Sequence, residues 1–111
     1  MEIWHNPRCS KSRQTLAILQ EKSVDFEVIE YLKSPPTQKR LREVAKKLDV
    51  QLRDMMRKNE ALYKELHLAE SDDADLIKAM AENPVLIERP IVINNDQAII
   101  GRPPENVLQL L

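Results

Sequence analysis

The sequence of residues 1–31 is MEIWHNPRCSKSRQTLAILQEKSVDFEVIEY, and it decides the fold class. Met1 to Trp4 is a short strand that ends at Asn6-Pro7, because proline has no N–H for a ladder and disfavours a helix before it. A helix is predicted from about Ser10 to Lys22. Val24 to Tyr31 then alternates apolar and acidic side chains, which indicates a strand with one wetter face near a sheet edge. This order implies two parallel strands joined by a right-handed crossover.

The middle of the chain is predicted to be helical, because Ser34-Pro35-Pro36 stops the second strand and apolar residues then recur at helical spacing. Serine, threonine and aspartate before such runs are typical of helix N-termini. The predicted helical segments are Thr37–Leu48 with Thr37 as N-cap, Leu52–Met56, Glu60–Leu66, and a helix that Ser71-Asp72-Asp73 opens and Asn83-Pro84 ends.

The last third of the chain returns to strands. Residues 90–93 and 97–100 are mostly apolar and flank Asn94-Asn95-Asp96, which is typical of a β-hairpin. Pro103-Pro104 starts a closing helix, whose apolar side is predicted to hold Val107, Leu108 and Leu111. The order is therefore β-α-β, a helical insertion, then β-β-α, and we expect one α/β domain over residues 1–111.

Composition limits the classes of function. The chain has 17 basic and 18 acidic residues and a net charge of -1, so we expect neither general nucleic-acid binding nor attraction to membranes. No apolar run approaches the roughly 20 residues of a membrane span, and the N-terminus lacks the pattern of a signal peptide, so a cytoplasmic protein is expected. One cysteine, two separated histidines and one glycine argue against a disulfide, a metal site or a glycine-rich nucleotide loop.

Cys9 is the candidate nucleophile. It follows a strand and lies at the start of a helix, where free N–H groups and the helix dipole favour a thiolate. Arg8, Lys11 and Arg13 add positive charge, and the Ser12 hydroxyl could donate to the sulfur. A buried structural cysteine is the alternative, but the polar flanking residues favour the functional interpretation. No second cysteine is present, so an outside thiol must release any adduct on Cys9.

The residues alone leave two roles undecided, that of His5 and that of three arginines. His5 could act on the thiol, or it could simply continue the first strand and bond to the backbone. Arg57, Arg89 and Arg102 could bind a tetrahedral oxyanion, because guanidinium groups bind such anions bidentately and stay charged. Their spacing in the sequence does not establish that they converge, and composition alone favours a solvated or salt-bridged surface residue at each position.

Five motifs occur in order along nearly the whole chain. They are His5-Asn6-Pro7-x-Cys9-x-x-Ser12-Arg13, Tyr31-Leu32-x-x-Pro35-Pro36, Arg57-Lys58-Asn59 followed by Tyr63 and Leu66–Glu70, Asn83-Pro84-Val85-Leu86-Ile87-Glu88-Arg89-Pro90-Ile91-Val92, and Arg102-Pro103. The ordered set resembles the glutaredoxin-dependent arsenate reductase family of the ArsC type. The resemblance implies a thioredoxin-like fold, with a four-stranded mixed sheet, flanking helices and a helical insertion after the second strand.

The resemblance also implies an activity, the reduction of arsenate to arsenite. Arsenate or a similar oxyanion is attacked by a cysteine thiolate, glutathione attacks the adduct as a co-substrate, and glutaredoxin completes the reduction. No bound cofactor or metal is expected, and the protein is expected to be a monomer. The site residues implied are Cys9 as the nucleophile, His5 and Ser12 as residues that lower its pKa, Arg57, Arg89 and Arg102 as oxyanion-binding residues, and Pro90 as a structural cis-proline.

Departures from the family pattern keep two other functions open. Family members commonly have small residues around the cysteine, whereas Arg8, Ser10 and Lys11 stand here, and the added charge could change the substrate. One alternative is a monothiol, glutathione-linked oxidoreductase that acts on disulfides. The other is a regulator that binds RNA polymerase without catalysis, like the related Spx-type proteins, although these usually carry Cys-x-x-Cys where this chain has Cys9-x-x-Ser12.

Overall fold

The structure is a computed structural model that describes residues 1–111. The chain divides into two compact units, the first formed by Met1–Ser34 with Arg89–Leu111 and the second by Pro35–Glu88. That the 111 residues act as one domain stays a prediction.

The first unit is built on a four-stranded mixed sheet. Its strands are Glu2–Trp4 (β1), Glu27–Ile29 (β2), Ile91–Asn94 (β3) and Gln97–Ile100 (β4), in the spatial order β2-β1-β3-β4. β1 pairs with β2 in parallel, whereas β3 is antiparallel to both β1 and β4. The predicted parallel pair, hairpin and fold class are confirmed.

Two helices flank this sheet. Helix α1 covers Ser10–Glu21, and a 3₁₀-helix covers Pro104–Leu110 and packs on α1. Their buried side chains meet those of β1 and β3 in one apolar core, and burying each such side chain is worth about 1.5–3 kcal/mol. The buried members of this core are Ile3, Leu19, Val92, Val107 and Leu110.

The closing helix differs from the prediction in which side chains it buries. A 3₁₀-helix has three residues per turn, so side chains three apart lie on one face. Pro104, Val107 and Leu110 are therefore the buried residues. Leu108 and Leu111, predicted from α-helical spacing to face the core, are 45% and 48% exposed.

The second strand is shorter than predicted. β2 lies at the sheet edge, as its alternating pattern indicated, and its only partner is the three-residue strand β1. Residues before Glu27 therefore have no ladder partner, although Val24 and Phe26 still pack on the core. Val28 is 45% exposed, because the edge of the sheet leaves it uncovered.

The second unit contains the predicted helical insertion. Thr37 caps its first helix by accepting a hydrogen bond from the Arg40 N–H at 3.1 Å, and Asp72 caps a later helix by accepting from the Asp75 N–H at 2.9 Å. These two helices, α2 and α4, pack on each other. The helices of this unit are α2 (Gln38–Leu48), α3 (Ala61–Glu65) and α4 (Asp73–Glu82), with short 3₁₀-helices at Leu52–Met55, Leu68–Glu70 and Pro84–Leu86.

None of the helices is both long enough and apolar enough to cross a membrane.

Candidate active site

Cys9 occupies the N-cap position of α1, with an extended backbone (φ −94°, ψ 122°). Its N–H donates to the carbonyl oxygen of Asn6 at 3.0 Å, and its own carbonyl oxygen accepts from the Arg13 N–H at 3.0 Å. The loop is closed further by the Arg13 guanidinium, which donates to the Pro7 carbonyl oxygen at 3.0 Å. Cys9 is partly exposed, so the sulfur is held in a fixed turn and still meets solvent.

The surroundings of Cys9 lower the pKa of its thiol. Desolvation by burial is the largest single influence and raises the pKa, because it disfavours the charged form. Hydrogen bonds from the backbone N–H groups of Ser12 and Lys11 lower the pKa, as do the charge and hydrogen bonding of Arg89. Together these influences outweigh desolvation, so the net direction is downward and the thiolate is favoured.

Two of the three singled-out arginines lie at the sulfur. A guanidinium nitrogen of Arg102 donates to Cys9 Sγ at 3.8 Å and to the Arg89 carbonyl oxygen at 3.3 Å, although Arg102 is 93 positions beyond Cys9. Arg89 also bonds to the sulfur. The hairpin explains the convergence: Ile91 pairs with Ile100, so the residues just outside this pair come together. The register of the predicted hairpin was the signal that could have brought the two arginines together from sequence.

Arg57 lies in the second unit. Its backbone N–H donates to the Leu86 carbonyl oxygen at 2.8 Å, beside a bridge between Met56 and Ile87. Its guanidinium forms an ion pair with Glu60 at 3.3 Å. A part for Arg57 in oxyanion binding stays a prediction.

His5 and Ser12 form a buried pair behind the loop. His5 Nδ1 lies 2.6 Å from Ser12 Oγ, which also accepts from the Asn6 N–H at 3.0 Å. The hydroxyl of Ser12 is thus engaged with His5 and Asn6, and the Ser12 group that lowers the pKa of the Cys9 thiol is its backbone N–H. His5 also continues the strand, because its N–H donates to the Ile29 carbonyl oxygen at 2.8 Å. His5 therefore continues the strand through its backbone while its ring contacts Ser12, and a part for His5 in lowering the pKa of Cys9 stays a prediction.

Burial lowers the pKa of His5, and the charge of Arg13 lowers it further, while Glu30 acts in the opposite direction. The net direction is downward, so the imidazole is neutral at neutral pH. A neutral ring is suited to holding the Ser12 hydroxyl in place by a hydrogen bond.

A close three-way contact, not foreseen from the sequence, lies beside the arginines. Gly101 donates its N–H to the Pro90 carbonyl oxygen at 2.9 Å, and a Cβ on Gly101 would lie 2.6 Å from Thr15 Oγ1 and 2.8 Å from Pro90 Cγ. Only glycine allows α1 to approach the end of the hairpin this closely. The peptide bonds before Pro90 and Pro103 are both cis. That Gly101 is the only glycine in the chain was a signal for this contact.

No cluster of three or more His, Cys, Asp or Glu side chains is arranged to hold a metal ion. The side chains at the site place a thiol whose ionised form is favoured beside two guanidinium groups, which can share an anion.

These features define a class of protein, the thioredoxin-like proteins with a free cysteine at the start of the first helix of a mixed sheet. Comparison with known proteins gives the particular family. The model described as ArsC family matches residues 4–110, and the chain belongs to this family.

Relatives match over nearly the full length. The chain is 51% identical to the uncharacterized protein YfgD of Escherichia coli K12, covering 100% of this chain and 96% of that protein. It is 50% identical to a protein named arsenate reductase of Haemophilus influenzae, over 98% of this chain and 97% of the other. A solved structure titled arsenate reductase from Vibrio cholerae is 49% identical, with a TM-score of 0.96 over 100% of this chain and 98% of that one.

Proposed function

We propose that this protein is an arsenate reductase in which the Cys9 thiolate attacks arsenate held by arginines. The observation that carries the proposal is the contact of Arg102 with Cys9 Sγ at 3.8 Å, with Arg89 bonded to the same sulfur. Two guanidinium groups at a thiolate attract a second anion, which a lone thiolate would repel. Close relatives named arsenate reductases support arsenate as that anion.

The first step forms a bond between sulfur and arsenic. The Cys9 thiolate attacks arsenic, one arsenate oxygen takes up protons and leaves as water, and arsenic stays in the pentavalent state. Arg89 and Arg102 offset the negative charge that builds on the remaining oxygens, and the prediction for Arg57 is that it joins them. Pre-organised donors at developing charge are among the largest contributions to catalysis.

The reduction itself needs outside thiols, because Cys9 has no internal partner. Glutathione replaces a second oxygen on arsenic, again with release of water. The thiolate of glutaredoxin then attacks the glutathione sulfur, the sulfur–arsenic bond breaks, and its electron pair reduces arsenic to the trivalent state. Water finally releases arsenite and restores the Cys9 thiol, so that two thiols are oxidised for each arsenate reduced.

The setting we propose follows from this chemistry. Reduced glutathione and glutaredoxin belong to a reducing compartment, so we infer that the protein works in the cytoplasm. We propose that it acts there as a monomer and binds no resident cofactor, with glutathione taken up in each turnover.

The test couples arsenate reduction to NADPH oxidation through glutathione, glutaredoxin and glutathione reductase. Wild-type protein should consume NADPH when arsenate is added, and Cys9→Ser should abolish the reaction while the thermal unfolding curve stays the same. Arg102→Ala should reduce kcat/KM for arsenate by roughly 10²–10³-fold, the cost of losing one anion-stabilising donor.

The same assay separates the alternatives. Turnover of a glutathione mixed disulfide without any turnover of arsenate would replace the proposal by a general monothiol oxidoreductase. If neither reaction occurs and the Cys9→Ser variant still binds RNA polymerase, the protein would instead be a regulator that acts by binding.

A further inference from the structure

Two cations beside Cys9 have no acidic partner. Arg8 and Lys11 are both exposed, and the only hydrogen bond of Arg8 is from its backbone N–H to Asn6 Oδ1 at 3.0 Å. The first turn of α1 contains no acidic residue, and none occurs between Glu2 and Glu21. The solvent side of the reactive sulfur thus carries uncompensated positive charge.

Some exposed cations elsewhere in the chain have acidic partners, whereas Lys22 and Lys78, like Arg8 and Lys11, have none, so it is the position beside Cys9 that sets Arg8 and Lys11 apart. Lys58 pairs with Asp54 at 3.0 Å, and Lys33 with Glu30 at 3.7 Å. Arg8 and Lys11 also differ from Arg89 and Arg102, which bond to the sulfur itself and so are already engaged in stabilising the thiolate. The positive charges of Arg8 and Lys11 are therefore free to interact with an incoming molecule.

The charges of Arg8 and Lys11 can act on an outside thiol as it approaches Cys9. An adduct on Cys9 can be attacked only from solvent, and Arg8 and Lys11, which lie one and two positions from Cys9 in the chain, are both exposed to solvent. Consecutive Cα atoms are about 3.8 Å apart, and charges interact over a Debye length of about 8–10 Å. A thiol whose sulfur reaches Cys9 therefore comes within range of both cations.

We propose that Arg8 and Lys11 select an outside thiol that carries carboxylate groups over neutral or cationic thiols. Glutathione is such a thiol, with two carboxylates, one ammonium group and a further negative charge once its sulfur ionises. The inference rests on the proposed function in so far as an outside thiol is needed to release Cys9.

The expected size of the effect is modest, because both cations are exposed. One solvated charge pair changes a rate or binding constant by roughly 1.5- to fivefold, so loss of both cations should give roughly two- to twenty-fivefold. Salt should weaken the preference for the same reason.

The test uses thiol exchange on the full chain without arsenate. Cys9, the only cysteine, is converted to a mixed disulfide with thiopyridine, a neutral group, by reaction with a dithiodipyridine. An incoming thiolate attacks this disulfide, the sulfur–sulfur bond breaks, and thiopyridone leaves with the electron pair and is followed by its absorbance. The incoming thiols are glutathione, mercaptoethanol and cysteamine, whose attacking thiolates carry net charges of about −2, −1 and 0.

The variant Arg8→Ala/Lys11→Ala should slow exchange with glutathione about two- to twenty-fivefold, slow exchange with mercaptoethanol by a smaller factor, and leave cysteamine within about twofold. Because each thiol is compared with itself in wild type, intrinsic differences in thiol reactivity cancel. Lys22→Ala is the matched control, since it removes a cation at the far end of α1, and it should leave all three rates unchanged.

Equal changes for all three thiols would overturn the proposal, because they would mean that Arg8 and Lys11 only alter the reactivity of Cys9. An unchanged glutathione rate would overturn it as well. This test is independent of arsenate turnover. If arsenate is not reduced but thiol exchange still depends on Arg8 and Lys11, arsenate is not the substrate and the inference about thiol selection stands. Arsenate turnover with no thiol preference does the reverse.

Discussion

At the scale of single residues, the backbone and the side chain of Ser12 have different tasks. Its N–H, in the first turn of α1, lowers the pKa of the Cys9 thiol, whereas its hydroxyl lies 2.6 Å from His5 Nδ1 and accepts from the Asn6 N–H at 3.0 Å. The hydroxyl therefore supports the shape of the loop, and the thiolate is stabilised by main-chain groups and arginine. Side-chain identity at position 12 should then affect stability more than thiol ionisation.

Ser12→Ala should lower the free energy of unfolding by about 1–3 kcal/mol, because it leaves the Asn6 N–H and the His5 ring without a partner in the interior. The pKa of Cys9 should rise less than in Arg89→Ala, since the backbone N–H remains. Urea unfolding gives the first quantity and the pH dependence of alkylation gives the second. If Ser12→Ala raised the pKa of Cys9 more than Arg89→Ala did, the hydroxyl would be the true donor to the sulfur.

At the scale of elements, the site depends on how closely α1 approaches the end of the hairpin. Arg89 precedes β3 and Arg102 follows β4, so the antiparallel pairing brings both arginines to one end of the sheet. Gly101 then sets the distance to α1, on which Cys9 is the N-cap, through its contact with Thr15. Thr15 is fully buried and donates to the Lys11 carbonyl oxygen at 2.9 Å, so it has little room to move.

Gly101→Ala should separate these elements, because the added Cβ would lie within 3 Å of both Thr15 and Pro90. We expect a loss of about 1–3 kcal/mol in the free energy of unfolding, as for other overpacked sites, together with a rise in the pKa of Cys9 as the arginines move away. Thermal unfolding and thiol titration measure the two effects.

A matched change elsewhere gives the control for Gly101→Ala. Thr37→Ala removes the cap of α2 and should cost about 1 kcal/mol in the free energy of unfolding. It should leave the pKa of Cys9 where it is. Equal pKa changes in the two variants would mean that loss of stability alone, and not the position of the arginines, alters the thiol.

At the scale of the whole molecule, the sequence predicted what depends on local pattern. The strand, turn and helix around Cys9 are contiguous, so the candidate nucleophile and its helix N-terminus could be foreseen from residues 4–13. Arg89 and Arg102 required the register of the hairpin, which spacing alone does not provide. The prediction that Leu108 and Leu111 face the core was wrong, because a 3₁₀-helix repeats every three residues and an α-helix every 3.6.

The buried histidine gives a prediction for stability of the whole chain. His5 has a lowered pKa in the folded protein, so on acidification the unfolded chain binds a proton before the folded one does. Stability is therefore fully present above the ordinary histidine pKa and falls as the pH drops through the folded pKa. Urea unfolding between pH 8 and pH 5, roughly spanning that range, should show a smaller fall for His5→Asn than for wild type. Parallel curves for the two proteins would contradict a neutral, buried His5.

The claim that Cys9 ionises readily beside an oxyanion-binding site is tested by the rate of Cys9 alkylation against pH, with and without arsenate or sulfate. We expect the pKa of the Cys9 thiol to lie below the ordinary value of about 8.5 and to be higher in Arg89→Ala and Arg102→Ala than in wild type. We also expect alkylation to be slower when an oxyanion is bound. A thiol that titrates at or above that ordinary value, with the same rate in the presence of oxyanions, would contradict it.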